Sequence, residues 1–490
     1  MNMFVMLRLV YFSITFLILY LAFTWCTQVL STFPDDQHHS DQNSTDYGYF
    51  LHITDFHLDN SYVAGSTIES ACHKPPSSAA TTKHKSGLAL HFGMSGCDTP
   101  TVLAQKTVDW VSKEWKQKLD FIVWTGDNAR HDWDKQMKRN RSNVYESNRM
   151  MANMIHGSFG DIPVIPSLGN NDVIPHNRIT MGNGTDKNTN RLLRFYQHLW
   201  KHWIPQQQQD DFLKYGAFVV DVGPQLRALS INTMYFIKKN KKLQGCGKPG
   251  SDAQQHMDWF EQQLIKARMD GYKVLVLGHV PPAEDTYRFS CLASYTRISA
   301  QYPDVIMGHL YGHLNKDHFL LYDTSRPLSK TTTMDQDSYD KDYLDQQPFF
   351  KKPKIPKFAR QLHDMYSSIH PRLEDDEKQE ILPTSPVVAI QVTPSVLPKY
   401  YPTVRIYRYT KNNLMGYDQY FANITEWENL PATQHHYQLL YSTDHYGMKD
   451  LTSESFFDLA KRMVDPHDKN GRRLWRDYVN NIFIRTRAIF

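Results

Sequence analysis

Five groups of polar residues, each directly after an apolar run, carry the side chains that could do chemistry. The groups are Asp55-x-His57, Gly126-Asp127, Gly169-Asn170, Gly278-His279, and Gly308-His309 with Gly312-His313. Carboxylates, neutral imidazoles and an amide oxygen are ligands for divalent cations. Glycine allows the sharp turn that points the following side chain out of a sheet. A lone histidine is more often structural, but five ordered groups predict a site for divalent cations.

The apolar runs before these groups predict strands. They lie within residues 49–59, 118–132, 161–172, 273–282 and 303–318. Helical patterns lie between some of them, over residues 101–118 and over residues 252–269. The alternation of strands and helices predicts a layered α/β sandwich. Ligands in such sheets gather just beyond the strand ends, and every polar group falls at such an end.

The size and charge of the chain limit the classes of function. With 490 residues, of which 41% are apolar, the chain can bury a large core. Its formal net charge of +4 is too small to indicate a nucleic acid partner. We therefore expect no nucleic acid among its partners.

The N-terminal residues differ in composition from the rest of the chain. An uncharged apolar stretch follows Arg8 and continues to Trp25, with no small-residue cleavage site beyond it. We therefore expect a transmembrane signal anchor over residues 9–26, with residues 1–8 cytosolic and residues 27–46 a lumenal stalk. A buried core helix is the alternative interpretation.

Glycosylation triplets and cysteines also favour a lumenal location. The triplets begin at Asn43, Asn140, Asn183 and Asn423. Beyond Cys26 the chain has four cysteines, an even number that suggests two disulfides in an oxidising compartment. The simplest pairing joins neighbours, Cys72 with Cys97 and Cys246 with Cys291.

Composition divides the remaining chain into four segments. Residues 47–322 contain all five polar groups and form the expected catalytic core. Residues 323–385 combine low hydrophobicity with mixed charge, which predicts a solvated or disordered insertion. Residues 386–426 alternate like edge strands that complete the core, and residues 427–490 have a helical, basic pattern.

In their order, the polar groups resemble the motifs of the calcineurin-like metallophosphoesterases, which read D-x-H, GD, GN, GH and GHxH. The stretches TGDNARHD, LGHVPP and YGHLNKDHF are similar to the acid-sphingomyelinase-like branch of that family. Within the branch, the anchor, the GNND sequence and GHLN in place of GHxH look like the fungal vacuolar endopolyphosphatases. The resemblance implies a four-layer α/β/β/α sandwich with a C-terminal helical subdomain and two bound divalent metal ions.

The resemblance also assigns the metal ligands, motif by motif. They would be Asp55, His57, Asp127, Asn170, His279, His313 and Asn315. The first two would hold one metal, Asp127 would bridge both metals, and the next three would hold the second. Asn315 stands where the family has a histidine, and an amide oxygen there favours manganese, magnesium or cobalt over zinc. A register that uses His309 instead of His313 is the alternative, but the downstream NKDHFLLYD favours His313.

Asn171 departs from the family pattern, which usually places a histidine there to protonate the leaving group. Asparagine cannot act as a general acid, so the site is inactive or its leaving group needs no acid. A departing phosphate has a relevant pKa of about 6, far below that of a departing alkoxide. Asn171 therefore favours a phosphoanhydride substrate, although His176 or His131 could still supply a proton. We expect His131 to contact phosphate and Asp172 to orient Asn170 or Asn171.

A polyanionic substrate needs cations around the cleft, and the KKNKK run at 238–242 offers Lys238 and Lys239. The sequence thus predicts an endopolyphosphatase that cleaves inorganic polyphosphate with water activated by two metals. The anchor predicts a single-pass type II membrane protein with a lumenal catalytic domain, and the resemblance implies the vacuole membrane as its location. One alternative is an acid-sphingomyelinase-like phosphodiesterase acting on phospholipid or nucleotide esters. The other is a non-catalytic lumenal glycoprotein on the same scaffold.

Overall fold

The computed structural model describes residues 47–76, 88–326, 328, 355–370 and 385–486. These residues lie in one compact unit, Tyr47–Phe490. The predicted anchor, stalk and first glycosylation triplet fall outside the described residues. Within the described part of the chain, no helix is both long enough and apolar enough to cross a bilayer.

The described residues contain fourteen strands: β1 (Gly48–Ile53), β2 (Leu58–Asp59), β3 (Thr99–Pro100), β4 (Leu119–Trp124), β5 (Val164–Pro166), β6 (Phe218–Gly223), β7 (Leu226–Ser230), β8 (Lys273–Leu277), β9 (Ile306–Tyr311), β10 (His318–Asp323), β11 (Val387–Val392), β12 (Thr403–Tyr409), β13 (Leu414–Phe421) and β14 (Gln438–Ser442). They also contain ten α-helices: α1 (Thr101–Trp115), α2 (Arg141–Phe159), α3 (Lys187–Leu199), α4 (Gln209–Tyr215), α5 (Asp252–Asp270), α6 (Phe289–Ala300), α7 (Lys357–Ser368), α8 (Ile424–Trp427), α9 (Ser453–Val464) and α10 (Lys469–Ile482).

Most strands belong to two six-stranded mixed sheets. The first has the order β14-β13-β12-β1-β4-β5, and β1, β4 and β5 run parallel. The second has the order β10-β11-β9-β8-β7-β6, and β7, β8, β9 and β11 run parallel. The predicted α/β class is confirmed. Parallel strands end on one edge of their sheet, which brings the residues after them together.

The two sheets face each other across a shared core. Phe50 and Phe121 of the first sheet belong to the same buried cluster as Leu275 of the second. The Ser167 and Ser230 hydroxyls, which follow β5 and end β7, lie 2.9 Å apart. Helices α1 and α2 bury apolar side chains in a second cluster with the other face of β1 and β4. Helices α5 and α6 join the shared cluster with β8.

Helix α5 illustrates why these segments become helical. The Ser251 hydroxyl accepts a hydrogen bond from the Gln254 amide at its start, and Gly271 ends it with a φ of 74°. A serine N-cap and a left-handed glycine are the signals that sequence reading uses at these two positions. The observed helix matches the predicted 252–269 within one residue.

The predicted solvated insertion at 323–385 is wrong for its described part, because residues 357–368 form helix α7. Phe358, Leu362 and Tyr366 are buried on one side of that helix, at a spacing of four residues. The Tyr366 hydroxyl donates to the Phe319 carbonyl of β10 at 2.8 Å. A single apolar stripe is enough to dock this helix although its surroundings are rich in charge.

Residues 386–426 contain strands β11, β12 and β13 of the two sheets, but these are interior strands and not the edge strands that their alternation suggests. Strand β11 lies between β10 and β9, and β12 lies between β13 and β1, so both are interior strands. Their polar residues find buried partners. Arg405 donates to Gln419 and Asp317, and the Tyr407 hydroxyl donates to Gln391. The predicted helical segment 427–490 contains β14 as well as α9 and α10.

Both predicted disulfides are present. Cys72 pairs with Cys97 and Cys246 pairs with Cys291, with Cα–Cα distances of 5.9 and 4.8 Å. The first disulfide ties the segment after β2 to the residues just before β3.

Candidate metal site

The candidate ligands follow the carboxyl ends of five parallel strands. Asp55 and His57 follow β1, Asp127 follows β4, Asn170 follows β5, His279 follows β8, and His313 follows β9. Three of these strands belong to one sheet and two to the other. The site therefore lies where the two sheets meet, at the edge formed by their strand ends.

Four of these ligands have left-handed backbone conformations. Asp55, His57, Asp127 and His313 have φ values of 52°, 45°, 55° and 72°. Such conformations cost about 1 to 3 kcal/mol each in a non-glycine residue and collect at functional sites. Two backbone hydrogen bonds join the turn after β1 to the turn after β4: the Asp55 amide donates to the Gly126 carbonyl and the His57 amide to the Asp127 carbonyl, both at 2.9 Å.

Two glycines allow the ligands to approach one another. A Cβ atom on Gly169 would lie 2.1 Å from Asp127 Oδ1, and one on Gly312 would lie 2.1 Å from Thr54 Oγ1 and 2.6 Å from Asp55 Oδ2. No larger residue fits at either position without displacing the adjacent carboxylate.

His279 Nε2 lies at the centre of one group of ligand atoms. It is 3.0 Å from Asp127 Oδ2, 3.1 Å from Asn170 Oδ1 and 3.2 Å from His313 Nδ1. The other ring nitrogen, Nδ1, donates to the Thr125 carbonyl at 2.7 Å, which leaves a lone pair on Nε2. With the His279 ring neutral, oxygen and nitrogen lone pairs converge, and a cation between them would remove their mutual repulsion.

A second group forms around His57. Its Nδ1 donates to the Ala129 carbonyl at 3.3 Å, and its Nε2 lies 3.5 Å from Asp55 Oδ1 and 3.6 Å from Asp127 Oδ2. Asp55 Oδ1 is buried and has no hydrogen-bond partner among the described residues. Ligand atoms at about 2.1 Å from a cation lie roughly 3.0 to 3.5 Å from one another. Both groups fit a divalent cation, and Asp127 belongs to both.

The pKa shifts in this cluster show that its carboxylates favour positive charge beside them. Burial alone would lower the pKa of His279, but the Asp127 and Asp55 carboxylates raise it to about 9. Burial likewise opposes protonation of His57, yet its pKa is raised by Asp55 and Asp127. Burial lowers the pKa of His313 to about 3, so its ring stays neutral. The two carboxylates attract protons to neighbouring imidazoles in the way that they would attract metal ions.

The two remaining motif residues, Asn315 and His309, lie in different surroundings. Asn315 is nine-tenths buried, and its Oδ1 has no hydrogen-bond partner within the described residues. His309 lies inside β9, and its Nδ1 is 2.6 Å from the Tyr295 hydroxyl rather than near the other ligands. The geometry therefore agrees with the register that uses His313.

Comparison with known families agrees with this geometry. The calcineurin-like phosphoesterase family matches residues 48–316. The chain belongs to the calcineurin-like phosphoesterases. A second family, the acid sphingomyelin phosphodiesterase C-terminal region, matches residues 383–486, which include interior strands β11 and β12. Divalent metal ions are implied by the family, and the two ligand groups fit them.

Several fungal proteins named endopolyphosphatase are similar to this phosphoesterase. The protein of Cryptococcus neoformans is 34% identical over 399 residues, covering 74% of this chain and 58% of the relative. That of Saccharomyces cerevisiae is 39% identical over 287 residues, covering 56% and 41%. That of Schizosaccharomyces pombe is 32% identical over 402 residues, covering 78% and 66%. The matched region thus spans less than two thirds of the length of each of these relatives.

Asn171 holds the carboxylate shared by the two ligand groups. Its backbone amide donates to Asp127 Oδ1 at 2.7 Å, and its side-chain amide donates to Asp127 Oδ2 at 2.8 Å. Asp172 does not orient Asn170 or Asn171 as expected. Its carboxylate instead accepts from the backbone amides of Asp127, Asn128 and Gly169 at 2.8, 2.8 and 3.1 Å. It therefore fixes the turns that carry the ligands.

His131 lies between two other rings. Its centroid is 4.0 Å from that of His57 and 4.1 Å from that of the half-exposed Trp133. Its Nδ1 lies 2.6 Å from a carboxylate oxygen of Asp98, a buried residue that the sequence analysis missed. The one sequence signal for Asp98 is weak: it directly follows Cys97, which the first disulfide fixes in place.

Arg139 is another residue that the sequence analysis missed. Its side chain is buried, and Nη1 donates to the carbonyls of Asn171 and Arg130, both at 2.8 Å. Nη2 has no hydrogen-bond partner among the described residues. Arg139 thus supports the backbone of Asn171 and places a positive charge beside the ligand cluster.

The two predicted substrate lysines differ in position. The Lys238 ammonium donates to the Glu284 carbonyl. Lys239 is exposed, and its charge adds to burial in lowering the pKa of His313. Lys239 therefore lies close enough to act on the site, whereas Lys238 is held by the neighbouring loop.

The asparagines of the three described glycosylation triplets differ in their exposure to solvent. Asn140 and Asn183 are exposed, and Asn423 is half-buried. The side-chain oxygens of Asn140 and Asn423 cap α2 and α8 by accepting from the amides of Asn143 and Glu426. This arrangement leaves the amide nitrogen, to which a glycan attaches, free of the cap.

Proposed function

We propose that this phosphoesterase is an endopolyphosphatase that hydrolyses internal phosphoanhydride bonds of inorganic polyphosphate. The observation that carries the proposal is the pair of hydrogen bonds from Asn171 to Asp127. Its backbone amide and one N–H of its side-chain amide donate to Asp127, and an amide cannot act as a general acid, so the position that offers an acid in much of the family offers none here. A phosphate leaving group, with a pKa of about 6, departs without a proton. The name of the fungal relatives supports the same substrate.

Two bound divalent cations would supply an activated water and polarise the phosphoryl group under attack. Residues of the chain hold and orient the side chains that would take part in this reaction. Asn171 fixes the Asp127 carboxylate through two hydrogen bonds, and Thr125 fixes the His279 tautomer. Asp98 fixes the ring of His131, whose side chain is 21% exposed and can reach substrate.

The positive charges beside the cluster suit a leaving group that keeps its negative charge. Arg139 is buried next to Asn171, and Lys239 is exposed near His313. A polyphosphate chain carries about one negative charge per unit, so its flanking units would gain from such cations. An ester with a neutral alcohol leaving group would gain less.

The test is hydrolysis of long-chain polyphosphate by the purified full-length chain with manganese, analysed by gel for the size of the products. We expect fragments of intermediate length early in the reaction, as internal cleavage requires. Bis-p-nitrophenyl phosphate and sphingomyelin serve as competing substrates, and Asp127→Asn serves as the inactive control. Preferential hydrolysis of either ester would overturn the proposal, as would release of single phosphates only.

A phosphodiesterase of the acid-sphingomyelinase type is the second candidate. The match of residues 383–486 to the C-terminal region of acid sphingomyelin phosphodiesterases favours it. The same assay separates the two functions, because this candidate requires cleavage of the ester substrates to exceed that of polyphosphate.

We also propose that residues 9–26 anchor the protein in the vacuole membrane, with the catalytic unit in the lumen. The apolar stretch after Arg8, the two disulfides and the exposed triplets at Asn140 and Asn183 support this location. Protease treatment of intact vacuoles should leave the catalytic unit protected. Endoglycosidase should shift the wild-type band further than that of Asn183→Gln. A cytosol-accessible, unglycosylated catalytic unit would contradict the topology.

The metals are proposed to be manganese, magnesium or cobalt in preference to zinc. The support is Asn315, which stands where the family has a histidine and whose buried amide oxygen has no hydrogen-bond partner in the described part of the chain. Asn315→His should shift the metal preference of the activity towards zinc. An unchanged preference would remove Asn315 from the account of metal choice.

A further inference from the structure

His176 contacts a candidate metal ligand, Asn170, at its amide nitrogen and not at the oxygen that faces the other ligands. The segment after Asn170 folds back on itself, with the Asn177 amide donating to the Asn170 carbonyl at 3.4 Å. Another turn follows, in which the Arg178 amide donates to the Pro175 carbonyl at 3.0 Å. This path returns His176 to Asn170, six residues after the chain left it.

The side-chain amide of Asn170 is held at both of its ends. Its Nδ2 lies 2.9 Å from His176 Nε2, and its Oδ1 lies 3.1 Å from His279 Nε2. An amide group has one accepting end and one donating end, and a half-turn about its last bond exchanges them. Since Nδ2 carries the hydrogens, His176 Nε2 accepts this hydrogen bond.

The direction of that hydrogen bond decides which end of Asn170 faces the metal site. With Nδ2 directed to His176, Oδ1 points towards the atoms of Asp127, His279 and His313. The opposite orientation would direct N–H groups at the lone pair of His279 Nε2 and at the cation. Of the motif ligands, Asn170 and Asn315 alone carry a side-chain amide that can present the wrong end.

We propose that His176 is a positioning residue, which accepts a hydrogen bond from Asn170 and thereby presents the Asn170 oxygen to a divalent cation. Residues that orient metal ligands in this way typically contribute 10- to 100-fold to metal affinity, about the size of effect expected here. His176 is exposed, so replacing it removes little packing. The inference deepens the metal site on which the proposed function rests but does not depend on the substrate.

The experiment measures manganese binding to the cation-free full-length protein by titration calorimetry. His176→Ala should weaken one of two binding events about 10- to 100-fold while the melting temperature of the cation-free protein stays unchanged. His176→Gln should restore much of the affinity, because its side-chain oxygen can accept the same hydrogen bond. Arg178→Lys is the matched control on the same loop: Arg178 is exposed, the exchange keeps its charge, and the variant should bind manganese like the wild type.

Equal manganese affinity in wild type and His176→Ala would overturn the inference, even if polyphosphate hydrolysis fell. That result would make His176 a substrate contact. Equal losses in His176→Ala and His176→Gln would also overturn it, because a hydrogen-bond acceptor at this position would then not matter. Failure of polyphosphate hydrolysis in the wild type would leave the binding comparison intact and would count against the proposed substrate alone.

Discussion

Replacing Asn171 by alanine tests whether this residue, which departs from the family pattern, acts by holding the Asp127 carboxylate. Asn171→Ala keeps the backbone hydrogen bond to Asp127 Oδ1 at 2.7 Å and removes the side-chain bond to Oδ2 at 2.8 Å. Asp127 Oδ2 is also the atom nearest His279 Nε2, at 3.0 Å. The substitution therefore loosens the carboxylate that the two ligand groups share, without removing any ligand.

The size of the effect follows from the bond that is lost. A hydrogen bond to a charged group contributes about 1.5 to 3 kcal/mol, and about 1.4 kcal/mol corresponds to a tenfold change. We therefore expect the manganese concentration for half-maximal activity to rise roughly 10- to 100-fold in Asn171→Ala. At saturating manganese, kcat should return to within about tenfold of the wild type, because no proton is taken from this position.

The assay is polyphosphate hydrolysis at a series of manganese concentrations, with the melting temperature as a check on folding. Loss of a general acid typically lowers the rate by about 10²- to 10⁴-fold. A loss of that size in kcat, with an unchanged manganese requirement, would contradict this expectation. Asn171 would then act on the leaving group and not on Asp127.

Three further predictions follow from single contacts. Gly312→Ala should weaken manganese binding at least about tenfold in calorimetry, because its Cβ would lie 2.1 Å from Thr54 Oγ1; wild-type affinity would contradict this. Lys239→Glu should raise KM for long polyphosphate about fivefold while the control Lys241→Glu does not, and equal effects would exclude a specific role. Burial lowers the pKa of His73, but two carboxylates raise it by more. The protonated His73 ring therefore stabilises the fold below about pH 6.5, and this stabilisation is lost as the pH rises through the raised folded-state pKa. Chemical denaturation should show this loss in the wild type and not in His73→Ala, and parallel pH profiles would refute it.

The metal site was largely predictable from the sequence because each ligand follows its own strand. A strand, a sharp turn and a ligand occupy a few consecutive residues, so the pattern around Asp127 or His279 is local. The α/β class and the family follow from the same repeated pattern and are confirmed. The roles of the individual ligands stay predictions, although the distances around His279 agree with them.

Contacts between distant segments were not predictable. Asp98 reaches His131 across 33 residues, and Arg139 reaches the Asn171 carbonyl across 32. Nothing in the local sequence of either residue indicates its partner. The sequence shows only that Asn171 cannot act as an acid. Its hydrogen bonds to Asp127 join residues 44 positions apart, so the sequence does not indicate them.

The interior position of β11 and β12 has a similar cause. Their alternating polar residues suggest one solvated face, as in an edge strand. Arg405 is instead buried, with Asp317 as a partner 88 residues away. A strand with alternating polar residues can lie in the interior of a sheet when those residues are paired with distant polar groups, and a single sequence does not reveal such pairs.

A count of the bound metal ions tests whether Asp127 is shared by two divalent cations. Wild-type protein and Asp127→Asn would be purified in parallel, loaded with manganese, freed of excess metal and analysed by mass spectrometry of the elements. The shared position of Asp127 predicts two ions per wild-type chain and fewer than one per variant chain. Fewer than one ion in the wild type, or equal occupancy in both proteins, would contradict the account.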